Sequence, residues 1–199
     1  MMKIDNSLPL EYATEENRLK IFGFWIFLGA EIMLFATLFA TYFTLYNRTG
    51  TGPDGAEIFV ITPVILETFL LLTSSFTIGL GIHAMRLGRQ KAMINFFAIT
   101  LLLGLGFLGI EIYEFIHYAH EGAGIGESAF TSILLTTLGT HGAHVTVGLF
   151  WGLFIIMQVK KRGLTPETAN KSFIFSLYWH FLDVVWIFIF SFIYLKGMM

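Results

Sequence analysis

The sequence predicts an all-α fold, an integral membrane bundle of five transmembrane helices with the N-terminus cytoplasmic and the C-terminus outside. Three observations carry this. Of 199 residues, 55% are hydrophobic and 13% are charged, against about 25% charged in a soluble domain. Five apolar segments each reach the roughly 20 residues needed to cross a hydrocarbon core of about 30 Å. The basic residues sort to one side of the alternating loops. Segments of this length in lipid are helices, because a helix satisfies its own backbone hydrogen bonds.

The first 20 residues are polar and mixed in charge, without a basic head leading straight into a short apolar stretch. They therefore read as a cytoplasmic segment and not as a cleaved signal peptide. Span one follows near 21–46. Gly50, Gly52, Pro53 and Gly55 mark the first loop as turns. Span two lies near 60–85 and span three near 92–117. The stretch "EGAGIGES" marks a turn before span four, near 130–158, and span five lies near 173–195. No loop is long enough for a soluble domain, so residues 1–199 read as a single membrane domain.

Lys3, Arg18, Lys20, Arg86, Arg89, Lys91, Lys160, Lys161, Arg162 and Lys171 fall on one side of these spans, and only Arg48 and Lys196 on the other. The loops are short, where the positive-inside rule works best. Cys 0 excludes disulfides, iron–sulfur clusters and thiol catalysis, and a net charge of −2 gives no reason to expect a nucleic-acid partner.

Three motifs lead nowhere chemically. "GLGFLGIE" (104–111) matches a dinucleotide fingerprint, which needs a strand before it and a helix start after it. Inside a span, small residues instead let helices approach closely, and the same holds for "GLFWG" at 148–152. Glu114 and His117 form half of a di-iron carboxylate motif, but the chain has no second Glu-x-x-His. The plainer expectation is an interfacial polar cluster of Glu114 and His117 with Glu111, Tyr113 and Tyr118.

The costly residues lie deeper. Glu31 follows Ile21 by ten residues, roughly 15 Å into the membrane at 1.5 Å per residue. His144 on span four and Asp183 on span five lie at a similar depth, with His141 and His180 three residues from each. A charge at mid-membrane costs at least ~2.5–3.5 kcal/mol, so these groups are expected to meet one another or a partner subunit. Glu31 then reads either as a proton-linked carboxylate or as a neutral acid hydrogen-bonded to another helix. A histidine pair at i, i+3 is a weak metal signal without further ligands, so structural hydrogen bonding is the expectation and no metal site is assigned. Glu67, in the outer half of span two, has no evident partner.

At these residues the chain resembles subunit III of the haem–copper respiratory oxidases. The likeness runs through "LGFWIFLGAEIMLFATLFATYF", "FLLLTSSFTIGLGIHAM", "GFLGIEIYEFIHY", "LGTHGAHVTVG" and "SLYWHFLDVVWIFIFSFIYL", in order along nearly the whole chain. Within that family it looks most like the five-helix bacterial quinol (menaquinol) oxidase subunit III. The resemblance implies a non-catalytic subunit that stabilises subunit I and its proton uptake route and holds phospholipid. It places the haems and copper in subunit I and no cofactor in this chain, with subunits II and IV as further partners in the bacterial cytoplasmic membrane. It puts Glu31 on the family's intramembrane glutamate, Glu111 and Glu114 on its third-span acidic motif, and His141, His144, His180 and Asp183 on its motifs in spans four and five. The alternative within the family is a cytochrome c oxidase subunit III. From other classes, a membrane haem protein would use His141, His144 or His180, and a small proton-coupled transporter would centre on Glu31 and Asp183. Transporters of that kind show repeats and broken helices, which the Gly and Pro pattern here does not supply.

Overall fold

The computed structural model describes residues 7–50, 53 and 55–198. Lys3, counted in the charge bias, and Gly52, one of the first-loop turn markers, lie outside the described residues. A 3-10 turn at Leu10–Tyr12 leads into α1 (Glu15–Leu45). A single turn, α2 (Gly55–Ile58), precedes α3 (Ile61–Arg86), α4 (Gln90–His120), α5 (Ala129–Arg162) and α6 (Pro166–Ile189). α6 runs on into a π turn, Phe190–Leu195. All but α2 among these α-helices are long and apolar enough to cross a membrane, which makes this a five-span membrane protein.

Helix ends are set by capping chemistry. Thr14 accepts a hydrogen bond from the Asn17 amide at 3.2 Å, so α1 begins at Glu15, ahead of the apolar onset at Ile21. Ser128 with Thr131, and Thr165 with Thr168, form reciprocal capping boxes that start α5 and α6, and Pro166 occupies the first turn of α6. Gly88 adopts φ +69° in the tight link between α3 and α4, a conformation that glycine reaches without strain. That short link folds α3 and α4 back on each other, and their contact is the most extensive in the molecule.

α3, α4, α5 and α6 pack as a closed ring in which each helix touches the next and α6 returns to α3. Aromatic side chains fill its centre. Trp186 meets Phe107 edge-on at 4.7 Å and donates its indole N–H to Thr68 at 3.0 Å. Trp179 donates to Ser74 at 2.9 Å. A Cβ on Gly104 would lie 2.7 Å from Trp179, and one on Gly152 would lie 2.6 Å from Leu101. These glycines are where large rings seat against a neighbouring backbone, the close packing that small residues permit in membranes.

α1 lies outside the ring in the groove between α5 and α6. Its fully buried apolar residues are Ile21, Leu28, Phe35 and Tyr42, spaced by seven, and partly buried Phe24, Leu38 and Leu45 each follow one of them by three residues. This is the three-and-four alternation of a left-handed helix seam. Glu31 occupies the remaining place in that alternation, between Leu28 and Phe35.

The end of the bundle that carries most of the basic residues is tied by polar contacts. Asn170 donates to the carbonyls of Glu11 and Asn17 at 3.0 and 3.1 Å. Asn17 donates to the Pro166 carbonyl at 2.9 Å. The buried Glu11 carboxylate takes two contacts from Arg86, at 2.9 and 2.8 Å.

Candidate functional site

Apart from His141, the ionisable groups singled out inside the spans fall into three places. The first is the α1–α5 seam. His144 Nε2 lies 3.1 Å from Glu31 Oε2. His144 Nδ1 lies 2.7 Å from the Thr140 carbonyl. A carbonyl can only accept, so Nδ1 carries a hydrogen and Nε2 is left to face the acid. One proton then serves the contact. Either it sits on Nε2 opposite a carboxylate, or it sits on Glu31 opposite a neutral imidazole, and the pair has no net charge in both cases. The side chains of His144 and Glu31 are 21% and 14% exposed, Phe35 leans on the imidazole at 5.4 Å, and Tyr178 donates to the His144 carbonyl at 3.0 Å.

The second place is on a different face, between α3 and α6. His180 Nδ1 and the Ser75 hydroxyl are 2.7 Å apart, and Asp183 lies three residues beyond His180 on α6. Oδ1 of Asp183 has no hydrogen-bond partner. These three residues line an open cleft of about 420 Å³ together with Leu72, Phe76, Gly79 and Leu80.

The third place is the ring interior toward the far end, where Glu67, Glu111 and Glu114 are all buried. Tyr118 and Tyr194 both donate to the same oxygen of Glu114, at 3.1 and 2.8 Å. The π turn at the end of α6 carries Tyr194 inward to that oxygen; such turns insert a residue into the helical repeat. The carboxyl of Glu111 packs on Gly142, where an added Cβ would meet it at 3.2 Å. Glu67 and Glu111 make no hydrogen bond through their carboxyl oxygens. Glu114 also lines a cavity of about 480 Å³ with Pro63, Leu66, His117 and Tyr118.

The common layer expected of Glu31, His144, His180 and Asp183 is thus divided. Equal depth brought the residues to one level, but helix rotation sends Glu31 and His144 into one groove and His180 and Asp183 into another. The interfacial cluster expected on span three is also divided. Glu111, Glu114 and Tyr118 point into the bundle, whereas Tyr113 is exposed on its outer side. Glu67 was without a partner in the sequence, and the fold buries it in the same interior as Glu111 and Glu114. His141 joins neither pair: it is fully buried, stacked on Trp186 at 5.5 Å and edge-on to Phe107 at 5.7 Å. Asn17, Asn170 and the Glu11–Arg86 contact had no sequence signal beyond polarity, because their partners lie up to 159 residues away.

A family model described as cytochrome c oxidase subunit III matches residues 14–198. The chain is 59% identical to the quinol oxidase subunit 3 of Bacillus spizizenii, over 98% of this chain and 95% of that one. It is 58% identical to the quinol oxidase subunit 3 of Bacillus subtilis, with the same coverage. It is 50% identical to the cytochrome c oxidase subunit 3 of Bacillus sp. strain PS3, over 96% of this chain and 92% of that one.

Proposed function

The chain belongs to the cytochrome c oxidase subunit III family, and from that premise we propose that it is the non-catalytic third subunit of a haem–copper oxidase that passes electrons from a quinol to oxygen. The haems and copper sit in subunit I, and subunits II and IV complete the complex in the bacterial cytoplasmic membrane. The basic end of the bundle faces the cytoplasm, in keeping with the loop charges.

The observation that carries this reading is the Glu31–His144 contact. Ionisable residues at mid-membrane are costly unless paired. Here an acid and a base from α1 and α5 neutralise each other in a helix seam, as a scaffold requires. The aromatic ring core and the capped helix ends give that scaffold a fixed shape against which subunit I can hold its own helices. The apolar groove of about 610 Å³ between α1 and α6, lined by Ile32, Phe39, Phe181 and Phe188 among others, has the chemistry to hold an acyl chain.

Gentle solubilisation with a tag on this chain tests the reading. Haem is expected to co-purify, and quinol is expected to drive oxygen uptake by the purified material. Uptake with reduced cytochrome c and none with quinol would move the assignment to a cytochrome c oxidase, which the 50% identical relative of that name favours. A Soret band from this chain free of other subunits would overturn the assignment altogether.

A further inference from the structure

Glu114 is only half used by the interior. Tyr118 and Tyr194 both donate to Oε2, and no group of the described residues donates to Oε1. The carboxyl oxygens of Glu67 and Glu111 are sealed from the surface, whereas Oε1 of Glu114 is not. It can be reached from the cavity of about 480 Å³ that Glu114 lines between the start of α3 and the end of α4. Two more polar groups open onto that space. His117, one turn along α4, and Thr62, in the first turn of α3, both line it, and neither side chain has a hydrogen-bond partner among the described residues. The other walls are apolar, from Val60, Pro63, Leu66 and Ile110, and none of the lining residues is a lysine or an arginine. The mouth faces away from the bundle, where Val60, Leu66 and Tyr113 are exposed. A mostly apolar cavity of this size with a few converging polar groups has the form of a small-molecule site. A phosphate headgroup would meet a carboxyl oxygen there with no cation to offset it, so an anionic lipid is repelled. A flat ring that carries hydroxyl donors suits every feature. Its hydroxyls meet Oε1 and the imidazole, its plane packs on the rings of Tyr113, His117 and Tyr118, and an apolar tail leaves through the exposed mouth.

We propose that this cavity binds the headgroup of an isoprenoid quinol drawn from the membrane, with one ring hydroxyl donating to Oε1 of Glu114. The site is one of binding, and no bond is made or broken there. The two tyrosines act as positioning residues: by occupying Oε2 they hold the carboxyl so that Oε1 is left for the ligand. This inference rests on the reading of the chain as a quinol oxidase subunit and gives this chain a quinol site of its own.

The test uses the assembled complex and a quinol that carries a photo-reactive diazirine on its tail. Illumination, proteolysis and mass spectrometry locate the adducts. Adducts on residues 58–66 or 110–118 that excess unlabelled quinol displaces and phospholipid does not support the inference. Adducts confined to other subunits, or adducts here that phospholipid displaces equally, overturn it. Leu66→Trp fills the cavity from a wall that is 52% exposed, and is expected to remove this labelling with haem content unchanged. Glu114→Gln offers the tyrosines an amide oxygen and turns an amide N–H toward the cavity. The probe concentration for half-maximal labelling is then expected to rise roughly 10- to 100-fold, the effect of one hydrogen bond to a charged group. Labelling unchanged in both variants overturns the inference. A wild-type preparation that contains no haem, or that takes up oxygen with reduced cytochrome c and not with quinol, would instead overturn the reading beneath it.

Discussion

His144 Nε2 and Glu31 Oε2 stand 3.1 Å apart across the α1–α5 seam, and the other nitrogen of the same imidazole is committed to the Thr140 carbonyl at 2.7 Å. The arrangement holds one proton between two groups, and substitutions at Glu31 distinguish a proton that stays from one that moves. Glu31→Gln supplies an amide donor to a neutral Nε2, and the thermal stability of the purified complex is expected to stay within ~1 kcal/mol of wild type. Glu31→Ala leaves the imidazole nitrogen unmet and is expected to cost about 1–3 kcal/mol. Turnover and proton pumping that survive in the Gln variant assign a structural role, and pumping lost from an intact Gln complex assigns a moving proton.

Glu67 invites the opposite experiment. Both its oxygens are buried without a hydrogen bond and two other carboxyls lie nearby. Replacing an unmet buried acid with an apolar residue of similar volume is often neutral or stabilising, by up to roughly 1–4 kcal/mol in favourable cases. Glu67→Met is therefore expected to hold or raise the melting temperature of the complex. A variant that is stable but slow in oxygen uptake would mark Glu67 as a working acid.

Glu114 has two tyrosine donors on one oxygen, so their losses should not add. Tyr118→Phe and Tyr194→Phe are each expected to cost about 0.5–1.5 kcal/mol, since the remaining hydroxyl still meets the acid. The double variant removes both donors and is expected to cost more than the sum, read as a coupling energy in a double-mutant cycle by thermal unfolding.

The glycines make a matched pair of tests. Gly152→Ala places a Cβ 2.6 Å from Leu101 and 2.7 Å from Phe175, and overpacking of this kind typically costs about 1–3 kcal/mol. Gly29→Ala meets nothing within 4 Å and is expected to gain about 0.5–1 kcal/mol from a better helix former. Melting temperatures that move in opposite directions would bear out the packing described here.

Much of this architecture was legible in the sequence because hydrophobic length and loop charge are local properties. The five spans, the packing role of Gly104 and Gly152, and the similar depth of Glu31 and His144 could all be read by counting along single helices. What counting could not supply was rotation between helices. Depth alone put His180 and Asp183 in one layer with Glu31, whereas both lie on a different face, where His180 meets Ser75. The three glutamates of the ring interior were hidden for the same reason, since Glu67 and Glu111 share that interior only when α3 folds back on α4. The π turn that turns Tyr194 inward has no signature in composition or spacing. The seven-residue spacing of Ile21, Leu28, Phe35 and Tyr42 was present in the sequence but masked, because the lipid-facing sides of α1 are equally apolar.

The seating of α1 outside the ring has a consequence in time. Glu31 and His144 are 113 residues apart in the chain, which at bacterial and eukaryotic synthesis rates of about 5–20 residues per second is roughly 6 to 23 s. During that interval α1 is already made, and its acid has no imidazole to meet. Its groove does not exist until the last two helices have emerged. Although made before α5 and α6, α1 thus finds its place only after them, and until then Glu31 is an unclaimed polar group that lipid, water or an insertion partner must shelter.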